Sequence, residues 1–257
     1  MDAASGWARI NKSLPDLNEA ELRSLVRLLL YEQEPWLIAK LKRYEEADLV
    51  IECLGYLATR EALPWVLRSL SEREEALQLS AAAALKNFPD QWLRQPLLQM
   101  ILKQQPAAAK AGEVLLCLGQ EALDCLWEAW FDLDTEPAAR NQILALLTEA
   151  KDIRCEGLAF LALESTEEEL ILTGIKAVEA LNLRSLWGNV VRHLTHQDWV
   201  VRGKAINILA DLLIKPALPI ILALEPDSDS WVEESRLACI KKLSQIAVDI
   251  NEPAMGG

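Results

Sequence analysis

The stretch "DWVVRGKAINILADLLIKPALPIILAL", Asp198 to Leu224, reads as two short helices joined by a proline hinge. Apolar residues recur along it at i, i+3, i+4 and i+7, the spacing of one helix face. Pro219 sits where the second helix begins, and a first helical turn has no use for the amide proton that proline lacks. The tripeptide Ala217–Pro219 has an echo at Ala62–Pro64, in "EALPWVLRSL". Two stretches so far apart and so similar suggest copies of one unit.

Aligning the chain on a small or apolar residue followed four later by an apolar one gives seven anchors. They are Cys53/Leu57, Ala81/Leu85, Val114/Leu118, Ile143/Leu147, Ala177/Leu181, Ala205/Leu209 and Cys239/Leu243. The steps between first anchors are 28, 33, 29, 34, 28 and 34 residues, alternately short and long, with a mean of 31. A second apolar helix is expected after each of the first six, over 62–70, 91–102, 121–131, 153–163, 185–194 and 216–224. "LNEAELRSLVRLLLYEQ" and "PWLIAKLKRYEE" predict an earlier pair. Pro96 lies deeper in its helix and predicts a later start or a kink. No segment alternates with the period of a strand, so the fold class is all-α. Each pair carries an apolar face that it cannot bury alone. Stacking neighbours would bury it, which predicts a right-handed α-solenoid of about seven to eight helix pairs; a compact orthogonal bundle is the other arrangement. One repeat domain is expected over 17–250, with an N-terminal arm at 1–16 and a disordered tail at 251–257.

The chain has 257 residues, with 39 acids against 26 bases and a net charge of −13. Tracking a phosphate backbone or an anionic bilayer takes clustered Lys and Arg, so nucleic acid and membrane are not expected as partners. No apolar run approaches the ~18 residues that span a bilayer, and the first residues lack a secretory apolar segment. The cysteines are Cys53, Cys117, Cys125, Cys155 and Cys239: an odd number, without a CxxC. All but Cys155 lie in strongly apolar helical stretches. Buried, reduced thiols in a cytoplasmic protein are the expectation.

These residues resemble the HEAT family. Its unit has an Asp near the start of the first helix, then Val-Arg, then Ala and Leu four apart. "DWVVRGKAINIL" supplies Asp198, Val201, Arg202, Ala205 and Leu209 in those places. Arg140 and Arg236 stand at the same distance before their own anchors, whereas Val50, Gln78, Ala111 and Gly174 occupy that place elsewhere. The resemblance implies that Arg140, Arg202 and Arg236, with Asp198, tie one repeat to the next by bonding to loop acids. It also implies a scaffold that holds other proteins on a concave face, since most of the family are scaffolds and a minority are enzymes or lyase-like chaperones.

The search for chemistry is short. His193 and His196, in "RHLTHQD", would make a metal site with Asp198; alternatively His193 simply closes a helix, where a histidine suits the dipole. No His-Glu dipeptide, GxSxG, GxxxxGK[ST], GxGxxG or HExxH occurs. No catalytic residue, metal or cofactor is therefore expected. The expected function is a non-catalytic protein-protein interaction scaffold or adaptor whose partner is a protein or peptide. The alternative is a HEAT-fold enzyme or lyase/chaperone acting on a protein substrate. The oligomeric state is left open.

Tryptophan favours binding hot spots, so its placement matters. Helical spacing puts Leu63, Val66, Leu67 and Leu70 inward and Trp65, Arg68 and Ser69 outward. The matching outward places further on are Asn189, Arg192 and His193. Trp92, Arg94 and Gln99, with Glu128, are expected between them on a partner-binding surface; packing of Trp65 on a neighbouring repeat is the competing reading. Trp127 and Trp130 are expected in the core, and Trp199 and Trp231 as wedges between repeats. The acids of "SEREE", "DLDTE", "ESTEEE" and "EPDSDS" would line one edge, either capping the next helix or steering a basic partner.

Overall fold

The computed structural model describes residues 3–13 and 18–249, and every regular element among them is helical. The chain gathers into two compact units, residues 1–128 and 129–257. The first holds α1 (Ala3–Ser13), α2 (Glu19–Leu30), α3 (Glu34–Lys42), α4 (Ala47–Leu57), α5 (Leu63–Ser69), α6 (Glu75–Leu85), α7 (Asp90–Leu102) and α8 (Ala108–Leu116). The division falls within α9 (Gln120–Phe131). The second unit holds α10 (Pro137–Glu149), α11 (Cys155–Leu163), α12 (Glu168–Ala180), α13 (Trp187–Val191), α14 (Trp199–Asp211), α15 (Leu218–Leu222) and α16 (Ser230–Asp249). No helix among the described residues is long and apolar enough to cross a membrane.

In the first unit α2, α4, α6 and α8 pack each on the next, and α3, α5 and α7 each lie on the even helix that follows. The second unit repeats the scheme, with α10, α12, α14 and α16 in one row and α11, α13 and α15 against the following even helix. The seven first anchors fall one to each even helix from α4 to α16, and all are buried. Close approach needs small residues: a Cβ on Gly55 of α4 would stand 2.6 Å from the Ala84 Cβ of α6.

The alternation holds for the first three steps and gives way to a constant one after them. The even-numbered helices from α4 to α16 begin at 47, 75, 108, 137, 168, 199 and 230, steps of 28, 33, 29, 31, 31 and 31. Ala177 and Cys239 lie nine residues into their helices where the other anchors lie six in, one turn further along. Those two residues account for the two 34-residue steps; the 33-residue step, from α6 to α8, remains in the helix starts. The residue before each of these helices is acidic in six of the seven cases: Glu46, Glu74, Glu136, Glu167, Asp198 and Asp229. Negative charge there offsets the positive end of the helix dipole. The second unit also repeats its helix ends. Lys151, Asn182 and Leu213, 31 apart, all take the left-handed conformation, with φ of 55°, 53° and 54°. After each, the next amide (Asp152, Leu183, Ile214) donates back to Leu147, Val178 or Leu209, closing the same C-terminal turn.

Residues 1–16, read from sequence as an arm, contain α1, whose Trp7 and Ile10 are buried and which packs on α2. The Trp7 indole donates to Glu46 at 2.8 Å, and the buried Lys40 ammonium lies 5.0 and 5.3 Å from the Trp7 and Trp36 ring centroids. Such a cation is tolerable because Glu46 also pairs with it at 2.8 Å. The expected later start at Pro96 does not occur: α7 opens at Asp90 and runs through the proline. The tail at 251–257 lies outside the described residues.

Candidate functional site

In the first unit, Trp65 on α5 is half-buried and Arg68 exposed. The Lys42 ammonium, at the end of α3, lies 4.6 Å from the Trp65 ring centroid. Tyr44, held at a φ of 56°, donates its hydroxyl to both Glu72 oxygens at 3.1 Å. That bond pushes the tyrosine pKa up. Between these groups is a cavity of about 100 Å³ with Leu41 and Leu77 in its lining. Ser69 was expected to face outward. It is buried, and its hydroxyl donates to the Trp65 carbonyl one turn back at 3.0 Å.

One helix further on, the Arg60 guanidinium lies 4.9 Å from the ring centroid of half-buried Trp92. Arg94 pairs with Glu121 of α9. Gln99 and Glu128 are exposed. Three contacts thus run along the odd helices: Lys42 to Trp65, Arg60 to Trp92 and Arg94 to Glu121. The first two are cation–π contacts, which contribute about 0.5–1 kcal/mol each at exposed sites, and the third is an ion pair. Neighbour packing and surface display, posed as alternatives for Trp65, coexist in one residue.

In the second unit, Asn189 and Arg192 both donate to one oxygen of Glu164, at 2.9 and 2.5 Å. His193, expected on the surface beside them, is 8% exposed. After α13 the chain tightens into a 3₁₀ turn, Arg192–Thr195, which carries the ring inward. Nε2 of His193 then donates to the Leu163 carbonyl at 2.9 Å, and burial lowers the pKa of the ring. His196 Nδ1 accepts the Asp198 amide at 3.1 Å, and Asp198 Oδ1 accepts the Val201 amide at 2.9 Å as the N-cap of α14. The three groups of the metal reading are therefore occupied in holding the backbone. No set of three or more His, Cys, Asp or Glu that could hold a metal ion is found among the described residues.

The three arginines differ. Arg202 forks onto Asp227 in the loop before α16, at 2.7 and 2.8 Å, and also donates to the His196 and Gln197 carbonyls at 2.9 Å. Arg140 donates to the Trp130 and Asp132 carbonyls at 3.1 and 2.9 Å, using main-chain oxygens and not a loop carboxylate. Arg236 takes Glu233 of its own helix at 2.7 Å. Its place explains this: Arg140 and Arg202 are three residues into their helices and Arg236 is six, one turn later. Glu233 stands in the position that Arg202 occupies in α14.

Trp130 is buried, but Trp127, expected beside it in the core, is half-buried. Trp199 and Trp231 meet edge to face at 5.6 Å, and a Cβ on Gly203 would fall within the Trp231 ring. Cys53, Cys155 and Cys239 are buried, and burial pushes their thiols up to about 12, 11 and 11. Cys117, expected inside, is exposed at the end of α8, where its thiol meets the Glu113 carbonyl at 3.4 Å. Lys42, Tyr44 and Arg60 escape the sequence reading, and Glu72 and Glu164 enter it only as members of the acidic connections. Their contacts span separate helices and leave no short-range signal.

No family model matches the chain, and no curated protein matches it. Two crystal structures of engineered proteins are similar to it. One is 15% identical over 91% of this chain and 77% of its own, with a TM-score of 0.45. The other is 17% identical over 92% and 96%, with a TM-score of 0.36.

Proposed function

We propose that the chain is a HEAT-like α-solenoid of about seven to eight helix pairs that serves as a non-catalytic interaction scaffold or adaptor. Its partner, a protein or peptide, docks on the faces of the second helices. The observation that carries this reading is the α5 face of the first unit, where half-buried Trp65 adjoins a small cavity and exposed Arg68 stands at its rim. Trp and Arg are the residues from which binding hot spots are built. The stepwise packing of even helices, and helix starts 31 apart in the second unit, support the repeat architecture. The −13 net charge supports a protein partner over nucleic acid. Free buried thiols support a reducing, cytoplasmic setting.

The scaffold reading is favoured over the enzyme because of what the chemically able groups are doing. His193 donates to a backbone carbonyl, and three thiols are pushed far from the thiolate form that attacks an electrophile. The test is affinity capture from the native cell, comparing the wild type with Trp65→Ala/Arg68→Ala. Loss of the captured partner with helicity intact is expected. An unchanged set of captured proteins would refute binding through this face.

A further inference from the structure

The cavity between α3, α5 and α6 has a charge balance unlike the chain around it. Its lining holds Lys42 and Arg68 against one carboxylate, Glu72, an excess of one positive charge in a chain of −13. That carboxylate is engaged, because both of its oxygens accept the Tyr44 hydroxyl at 3.1 Å. Lys42 and Arg68 are exposed and form no salt bridge among the described residues. Lys42 rests on the face of Trp65, so its ammonium is held at the cavity mouth. The apolar part of the lining is Leu41, Leu77 and the Trp65 ring. At about 100 Å³ the space is smaller than the ~150 Å³ cavity that admits benzene, which selects an aliphatic side chain over an aromatic one.

Cations in excess over carboxylates, set beside an apolar recess, are complementary to an acid next to an aliphatic residue. Resting on the scaffold reading above, we infer that this cavity is a specificity pocket for an acidic peptide. A Leu, Ile or Val side chain enters against Leu41, Trp65 and Leu77, and a neighbouring Asp or Glu carboxylate pairs with Lys42 and Arg68. A basic peptide would meet like charges at the same rim.

Selection of random displayed dodecapeptides on the full chain tests this. The recovered sequences should place Asp or Glu within two positions of Leu, Ile or Val. Their affinity should fall by about tenfold in Arg68→Glu and in Lys42→Glu, survive Arg68→Lys, and weaken as salt rises. Both positions are exposed, so circular dichroism of the variants should match the wild type. Recovery of basic or neutral sequences, recovery of none, or acidic peptides that bind the charge-reversed variants as well as the wild type would overturn the inference. A partner that is captured through Trp65 and Arg68 but contacts them with a basic segment would sink the acidic-peptide pocket and leave the scaffold reading standing.

Discussion

Arg202 and Asp227 meet as a two-pronged fork, 2.7 and 2.8 Å, that ties α14 to the loop opening α16. The pair is mostly shielded, and the remaining guanidinium donors are used on the His196 and Gln197 carbonyls. Removing Arg202 leaves Asp227 half-desolvated and those two carbonyls short of a donor. Arg202→Ala should cost about 2–3 kcal/mol, just under the ~3–5 kcal/mol of a fully buried pair. Arg236→Ala, which breaks a pair within one helix, should cost about 1 kcal/mol or less. Urea denaturation measures both. Arg202 holds the Asp227 carboxyl below its usual range. The stabilisation is therefore complete above the unfolded carboxylate pKa and is lost as pH falls through the folded one. Arg202→Ala should flatten that acid-side loss.

His193 makes a second pH-dependent link. Its folded pKa lies below the ordinary histidine value because burial disfavours the cation. In the window between the folded and unfolded values the unfolded chain binds more protons, so stability rises with pH there and is lost on acidification. His193→Phe should remove this slope. It also strands the Leu163 carbonyl, at a cost of about 1–3 kcal/mol near neutral pH. Chemical denaturation at pH 5 and pH 7 reads both effects; an unchanged slope would remove His193 from the account.

Trp231 lies so close over Gly203 that no side chain fits between them. Gly203→Ala should destabilise by about 3 kcal/mol, at the upper end of overpacking penalties. Adding Trp231→Leu, which frees space above residue 203, should recover part of that loss. A double variant as weak as the sum of the single variants would contradict the contact.

Leu213 sits at a φ of 54°, where a β-carbon costs about 1–2 kcal/mol, and its side chain is exposed. Leu213→Gly should raise the thermal midpoint, with a gain of about 1 kcal/mol or less after the added freedom of the unfolded glycine is subtracted. A lower midpoint would mean that the leucine contributes packing that outweighs its backbone strain.

The helix rows were legible because burial imposes a 3.6-residue pattern on local sequence, and every first anchor landed in the core of its helix. Register was less legible. A helix offers equivalent apolar positions one turn apart, so Ala177 and Cys239 fit the anchor pattern three residues late, and Arg236 resembles Arg202 although Glu233 is its counterpart. Outward faces failed where a helix was short. His193 belongs to a 3₁₀ turn whose side chains do not follow the α-helical wheel, and the Ser69 hydroxyl found a backbone acceptor one turn back. The cations that flank Trp65 and Trp92 come from other helices, and a single sequence carries no record of such pairings.

The central claim is that a partner sits on the second-helix face. The most direct measurement is site-specific photocrosslinking in the native cell with benzoylphenylalanine at position 99, where Gln99 is exposed on α7. The control places the same probe at position 79, where Leu79 is exposed on the first-row helix α6. A discrete crosslinked protein from position 99 and none from position 79 is the predicted result. Crosslinking from position 79 alone, or from neither position, would contradict it.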